Sequence, residues 1–319
     1  MRFRGALAVL LLGAWSVAQA QSYPAKPVKI VVTFPPGGGT DVVGRLLASE
    51  LSASLGQPFI VENRAGATGS IGTDFVAKSP ADGYTLLVVN STHAINASVF
   101  PKLPFDTVKD FAGVILVATV PTIVAVHPSV PAKNLIELTD LLRTSPGRYA
   151  YASCGSGSPQ HLAAELWKSM AKLEMTHVPY KGCAPALADV LGGQVPLSFN
   201  TAANTVPHLK TGRLRAIATT GKSRFPLAPD VPTMEESGLK DYDVEQWFGL
   251  LAPAQTPREV ISRLNTAVAE VVARPAIQDR MAAQGFAPKT STPESFNETV
   301  RADVERWGKL ARAIGLKVD

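Results

Sequence analysis

The chain has 319 residues, with 31 Lys or Arg against 26 Asp or Glu, a formal charge of +5 scattered without any basic block interleaved with aromatics. So small an excess gives no reason to expect nucleic acid as a partner. The length passes the ~250–300 residues at which single cores stop growing, so two domains are expected rather than one.

The N-terminus reads as a signal peptide. Arg2 and Arg4 form a positive start, Ala6 to Trp15 is apolar, and Ala18-Gln19-Ala20 has the small-x-small form of a cleavage site. An apolar stretch of about ten residues falls short of the ~20 that a permanent membrane helix needs. A buried N-terminal helix is the alternative. The expectation is an exported mature chain from about Gln21, its formal charge lowered from +5 to +3 by loss of Arg2 and Arg4. Later segments fall short of a membrane span too: Ala112 to Val120 is the longest apolar candidate, and Pro121 ends it.

Beyond the leader, short apolar runs alternate with amphipathic stretches, the rhythm of a parallel sheet with crossover helices and hence an α/β fold. Strands are expected at 28–33, 58–62, 84–89, 112–118, 122–127, 148–152, 175–178, 195–199, 214–219 and 246–251. Helices fill most gaps. Over 158–171, Leu162, Leu166 and Met170 recur every fourth residue, Ser158 is a good N-cap, and Pro159 suits a first helical residue because its missing N–H has no partner there. After residue 251 only helices are expected: Thr256-Pro257-Arg258-Glu259 reads as a capping box opening a helix to about Ala273, Pro275 starts one that stops at Gly285, and Thr292-Pro293-Glu294 opens a third. Lacking strands of their own, these helices must cover a sheet made earlier. The expected organisation is therefore a signal peptide over 1–20, a discontinuous domain one over 22–121 and 249–319, and domain two over 122–248. Two crossings between α/β domains imply a hinge and a cleft.

In open α/β sheets ligands bind beyond the carboxyl ends of the strands. The first such loop is Phe34-Pro35-Pro36-Gly37-Gly38-Gly39-Thr40-Asp41. Glycines admit positive φ and close backbone approach, and the following helix start adds free N–H groups and the positive end of its dipole. A small anion, most simply a carboxylate, is the expected guest. A glycine-rich turn without a ligand is the plain alternative. Walker and dinucleotide patterns both fail, because position 216 is Ala and position 42 is Val where glycine is required. Asp41 suits the helix dipole without further role, or, facing the cleft, would repel extra negative charge or attract an amino group.

The device recurs in "YASCGSGSPQH", where Ser153, Gly155, Ser156 and Gly157 join a strand to the helix that Ser158 opens. Other strand ends offer Asn90 and Ser91, Tyr180 beside Lys181, and Asn200 as neutral donors and acceptors, with ordinary helix capping an equal reading for each. The nucleophile elbow G-x-S-x-G is absent, and His93, His127, His161, His177 and His208 show no metal-binding spacing. Cys154 and Cys183 follow consecutive strands whose ends should be neighbours. A disulfide is expected between them in an exported chain, with two separate buried thiols as the alternative.

Several blocks together, "YPAKPVKIVVTFPPGGGTDVVGRLLA", "GQPFIVENRAGATGSIGTDFVAKSPADGYTLLV", "YASCGSGSPQHLAAELW", "HVPYKGCAPALADVLGGQV" and "WFGLLAPAQTP", resemble the substrate-binding receptors of tripartite tricarboxylate transporters, the Bug family. The resemblance runs from about Tyr23 to the C-terminus. It implies a periplasmic Venus-flytrap protein of two α/β domains, without catalytic activity or cofactor, expected as a monomer. It also implies a carboxylate held by Pro36 to Asp41 and by Ser153 to Ser158, with Phe34 at the cleft entrance. The implied partners are the membrane subunits of such a transporter, with a sensor protein as the alternative. One departure stands out: family members often read Phe-Asp-Asn where this chain has Phe199-Asn200-Thr201, so an acidic group is missing on the domain-two side.

Overall fold

The computed structural model describes residues 23–100 and 102–316, so the signal-peptide segment lies outside the described residues. The first half of the chain gives β1 (Val28–Val32), α1 (Gly39–Leu55), β2 (Phe59–Asn63), α2 (Ser70–Ala77), β3 (Thr85–Asn90), α3 (Thr92–Val99) and β4 (Phe111–Val126). Next come α4 (Leu135–Thr144), β5 (Ala150–Ser153), α5 (Pro159–Ala171), β6 (Thr176–Pro179), α6 (Cys183–Leu191), β7 (Leu197–Thr201), α7 (Ala202–Lys210) and β8 (Arg215–Thr219). The chain finishes with β9 (Glu245–Pro253), α8 (Arg258–Ala273), α9 (Pro275–Ala283), β10 (Ala287–Pro288) and α10 (Pro293–Ala313).

The strands follow the order β2-β1-β3-β9-β4-β7-β5-β6, with β8 and β10 also paired to β4. Each end of this sheet is parallel, β2-β1-β3 in one half and β7-β5-β6 in the other. The centre is antiparallel, because β9 and β4 run against each other and against their outer neighbours. A wholly parallel sheet, as the alternating rhythm suggests, is therefore corrected to a mixed one. Alternation in the strands shows why both faces are covered. Ile30, Val32, Leu86, Val88 and Leu250 point to the core under α1 and α8, while Val31, Leu87, Val89 and Leu251 point to the opposite core with Val76, Phe296 and Val300.

Two expected strands, 112–118 and 122–127, are one strand of 16 residues. Pro121 does not break it, since proline keeps an extended backbone and only forgoes one N–H. It stands where β4 changes partner: Pro121 lies opposite Glu245 of β9, and Thr122 opposite Thr201 of β7. β4 and β9 are thus the two crossover segments of a two-domain α/β architecture.

Further differences concern the C-terminal segment. A short strand, β10, follows residue 251 and pairs with Ala118 and Thr119 of β4. The capping box at Thr256 does not form, because its hydroxyl donates to the Pro253 carbonyl at 2.8 Å in the turn leaving β9, and Pro257 occupies the N-cap. Ser158 and Thr292 do cap their helices, accepting from the backbone N–H of His161 and Ser295. Helix α10 covers both halves: Phe296 and Val300 join the first core, and Trp307, Leu310 and Ala311 join the second with Leu162 and Trp167.

Candidate functional site

Register places the loops. The last residue of β3, Asn90, pairs with Phe248, which pairs with Ala118 of β4. The last residue of β7, Thr201, pairs with Thr122 of the same strand. Since β3 runs along β4 and β7 runs against it, the parallel halves run head-on and stop four residues apart, about 13 Å at the usual strand rise. Loops leaving both sets of strand ends therefore open into the space between the two halves. Helices α1, α3, α6 and α7 start there, and among the described residues no side chain caps their N-termini, which leaves backbone N–H groups and positive dipole ends as the chemistry on offer.

In the first loop the three glycines do different work. Gly37 takes a positive φ of 88°, Gly38 is the N-cap of α1, and Gly39 lies against the ring of Phe248, which a Cβ would meet at 3.0 Å. Pro36, Gly37 and Gly38 are exposed and Phe34 is half-buried. Asp41 turns away from solvent and fixes the loop. Its carboxylate accepts from the Gly37 N–H at 2.9 Å, from Arg45 Nε at 2.9 Å and from Asn63 Nδ2 at 2.8 Å. The Asn63 amide also donates to the Phe34 carbonyl at 3.0 Å. Burial alone would raise the Asp41 pKa, but these donors together hold it below the usual carboxylate value. Thr40 is buried and its hydroxyl accepts from Asn90 Nδ2 at 3.2 Å, while the side-chain Oδ1 of Asn90 accepts from the Thr92 N–H. Ser91 is buried, and among the described residues its hydroxyl has no hydrogen-bond partner.

In the second loop Ser156 is exposed, Gly155 and Ser158 are half-buried, and Ser153 and Gly157 are buried. Cys154 and Cys183 form the expected disulfide, with Cα atoms 4.3 Å apart, tying this loop to the start of α6. Tyr180 sends its hydroxyl to Asp189 at 2.6 Å, and burial, with that acidic partner, pushes its pKa up to about 12. Its backbone N–H bonds the Ser153 carbonyl. Asn200 is fully buried: its amide donates to the Cys183 carbonyl at 2.8 Å and its oxygen accepts from Asn204 at 3.3 Å. The start of α6 is thereby tied to the loop after β5 by the disulfide and to β7 by the Asn200 amide.

Sequence reasoning missed a cluster beneath this loop. His161 and His177, isolated in sequence, stack with ring centroids 3.8 Å apart. Tyr151 stacks on the other face of His177, and its hydroxyl donates to Glu165 at 2.6 Å. The available signal was the Tyr151–His177 pairing between adjacent strands, with His161 three residues past a well-formed N-cap. A second missed group lies at the crossing, where Gln160 of α5 bonds Gln246 of β9 at 3.2 Å and reaches Thr122 of β4 at 3.4 Å. Among the described residues no group of acidic, His or Cys side chains is arranged to hold a metal.

Two α/β halves joined by paired crossover strands, with strand ends and helix starts facing one another, define the class of two-domain periplasmic-type binding proteins. Residues 43–316 match the tripartite tricarboxylate transporter family receptor model. Protein BugT of Bordetella pertussis is 37% identical over 308 residues, covering 96% of this chain and 94% of that one. An R. palustris protein solved with adipate superposes with a TM-score of 0.81 at 36% identity, covering 92% of this chain and 99% of that one. MatC from Rhodopseudomonas palustris, solved with bound malate, gives 0.77 at 32% identity over 90% of this chain and 99% of that one. The chain belongs to the tripartite tricarboxylate transporter receptor family, whose members are solute-binding receptors.

Proposed function

We propose that this protein is an exported periplasmic receptor that captures a small organic carboxylate between its two domains and hands it to the membrane subunits of a tripartite transporter. The observation that carries the reading is the head-on approach of β3 and β7, with uncapped helix starts on both sides. Backbone N–H groups at a helix start suit a carboxylate without any side-chain cation. Adipate and malate, found in two relatives, are both small dicarboxylates and support this choice of guest.

In this reading the leader is removed after about Ala20. Domain one spans 22–121 and 249–319, and domain two spans 122–248. The hinge lies in the two crossover strands near Pro121 and Trp247, and the mature protein works as a monomer. Ligand contacts come from Phe34, from the backbone of Pro36 to Asp41, from Asn90 and Ser91, and from the loop Ser153 to Ser158, with the side chains of Asp41 and Asn200 serving as internal ties. No bond is made or broken in the ligand, so the protein needs neither nucleophile nor cofactor.

The test is amide NMR of the mature protein during titration with adipate and with malate. The expected result is perturbation of amides in both 36–41 and 153–158 by at least one of them. Shifts confined to the outer surface, or to one loop only, would contradict capture between the domains.

A further inference from the structure

Beneath the domain-two loop lies a pair of imidazoles that holds it at two points. His161 Nδ1 accepts the Gly157 N–H at 3.1 Å, and His177 Nε2 lies 2.7 Å from Ser153 Oγ. Ser153 Oγ in turn accepts the Gly155 N–H at 3.2 Å. One histidine thus anchors the end of the loop and the other its beginning. The residues come from different elements, α5 and β6, and their stacking at 3.8 Å with rings 9° from parallel links the two anchors.

The geometry dictates a protonation state. A backbone N–H can only donate, so His161 Nδ1 carries no proton and the ring is the neutral Nε2–H form. That Nε2 is 3.9 Å from Glu165 Oε1, too far for a hydrogen bond. The same oxygen already accepts from Tyr151 at 2.6 Å and from Lys168 Nζ at 2.7 Å. Among the described residues, the charged and titratable groups facing the pair are Glu165 and Lys168 from α5 and Tyr151 from β5; Lys168 pairs with the Glu165 carboxylate, and its own charge disfavours an imidazolium. Two imidazolium charges at stacking distance would also repel each other.

We propose that His161 and His177 are positioning residues for ligand capture: as neutral stacked rings they hold Gly157 and Ser153 so that the Ser153–Ser158 loop keeps its receptive shape. This rests on the reading above that the loop faces the ligand. Burial drives both histidines down, to about 4 for His161 and about 3 for His177, which is lowered further by His161. The loop therefore keeps its anchors in mildly acid surroundings that protonate ordinary histidines. The Gly157 anchor fails when His161 takes a proton on Nδ1 and surrenders that bond.

Amide hydrogen exchange of ligand-free protein at pH 7 tests the anchor separately from binding. His161→Phe keeps an aromatic ring but no acceptor, whereas His161→Asn places an oxygen near the Nδ1 position. Exchange at Gly157 should rise about tenfold or more in His161→Phe, as expected for a lost hydrogen bond of ordinary strength, and return toward wild type in His161→Asn. Calorimetric titration with adipate should show affinity falling and recovering in the same order. Unchanged Gly157 exchange in His161→Phe overturns the proposal. Should that variant not fold, imidazole nitrogen NMR of the wild type decides: a bare Nδ1 on His161 from pH 8 to pH 5 supports it, and a protonated Nδ1 at pH 7 overturns it. Absence of adipate binding to wild type would count against the choice of adipate and leave the exchange result to judge the anchor.

Discussion

Gly37 donates its backbone N–H to the carboxylate of Asp41, four residues later in the chain, at 2.9 Å. The contact closes the glycine loop on the first turn of α1, and Asn63 and Arg45 hold the carboxylate in place from β2 and α1. Asp41→Ala should therefore cost about 2–3 kcal/mol, the scale of hydrogen bonds to a buried charge, and weaken binding of carboxylates through disorder in the loop. The Asp41 pKa is depressed in the folded state. Its contribution is present above the unfolded value of about 3.9 and is lost as pH falls through the lower folded value. Urea midpoints of wild type and Asp41→Asn should consequently differ at pH 7 and converge in strong acid. A difference independent of pH would remove the charge from the explanation.

The disulfide closes a separation of 29 residues. By the chain-entropy relation its loss costs about 3–4 kcal/mol, a fall of several degrees in melting temperature for a chain of this size. Cys154→Ser combined with Cys183→Ser should show that fall, and because Asn200 still ties β7 to Cys183 O, the fold should survive it. A double variant as stable as wild type would mean that the tie adds nothing beyond the surrounding packing.

At the second crossing Trp247 Nε1 donates to Asp303 of α10 at 2.7 Å, and Arg306 contacts the other oxygen at 2.8 Å. Burial raises the Asp303 pKa despite Arg306, so the carboxylate depends on these donors. Trp247→Phe removes this donor and should cost about 1–3 kcal/mol. In an Asp303→Asn background the same change should cost less, and denaturation of the four proteins of this cycle measures the coupling. Additive losses would show that Trp247 acts through packing alone.

Stability should also fall on mild acidification. His93, buried with its ring nitrogen 3.2 Å from the Thr107 carbonyl, is driven down by burial to about 4, and His161 and His177 are lowered similarly. Each binds a proton in the unfolded chain near the ordinary 6.5 but resists doing so when folded. Their contribution is complete above that value and is lost as pH falls toward 4. Urea midpoints should drop steadily over this range, and His93→Phe should flatten part of the slope. A profile level from pH 7 to pH 4.5 would contradict the burial of these rings.

Much of this architecture was legible because local patterns suffice for it. Val28–Val32 and Thr85–Asn90 announce themselves as β-branched or aliphatic runs, and Ser158-Pro159 and Thr292-Pro293 as helix starts. What local patterns do not carry is partner choice. Pro121 reads as a break, yet β4 passes through it because a different strand takes over at Thr122. Ala287–Pro288 is too short to announce a strand and exists only because β4 lies beside it. In the site, the glycine loops and the cysteine pair were visible as motifs. The hold of Asp41 on Gly37 depends on Asn63, a residue 22 positions away, and the His161–His177 stack depends on the packing of α5 over β6. Long-range contacts of this kind leave no periodic trace.

In the proposed function, the space between β3 and β7 binds a small carboxylate. The most direct measurement is a thermal-shift comparison of acids with their own amides, adipate against adipamide and malate against malamide, on mature protein stripped of copurified ligand. A ligand at 100 times its dissociation constant adds about 2.7 kcal/mol, a rise of a few degrees for a chain this size. A rise with at least one acid and none with its amide is the predicted result. Silence from every carboxylate, with a rise from a neutral or cationic compound, would contradict carboxylate binding at this site.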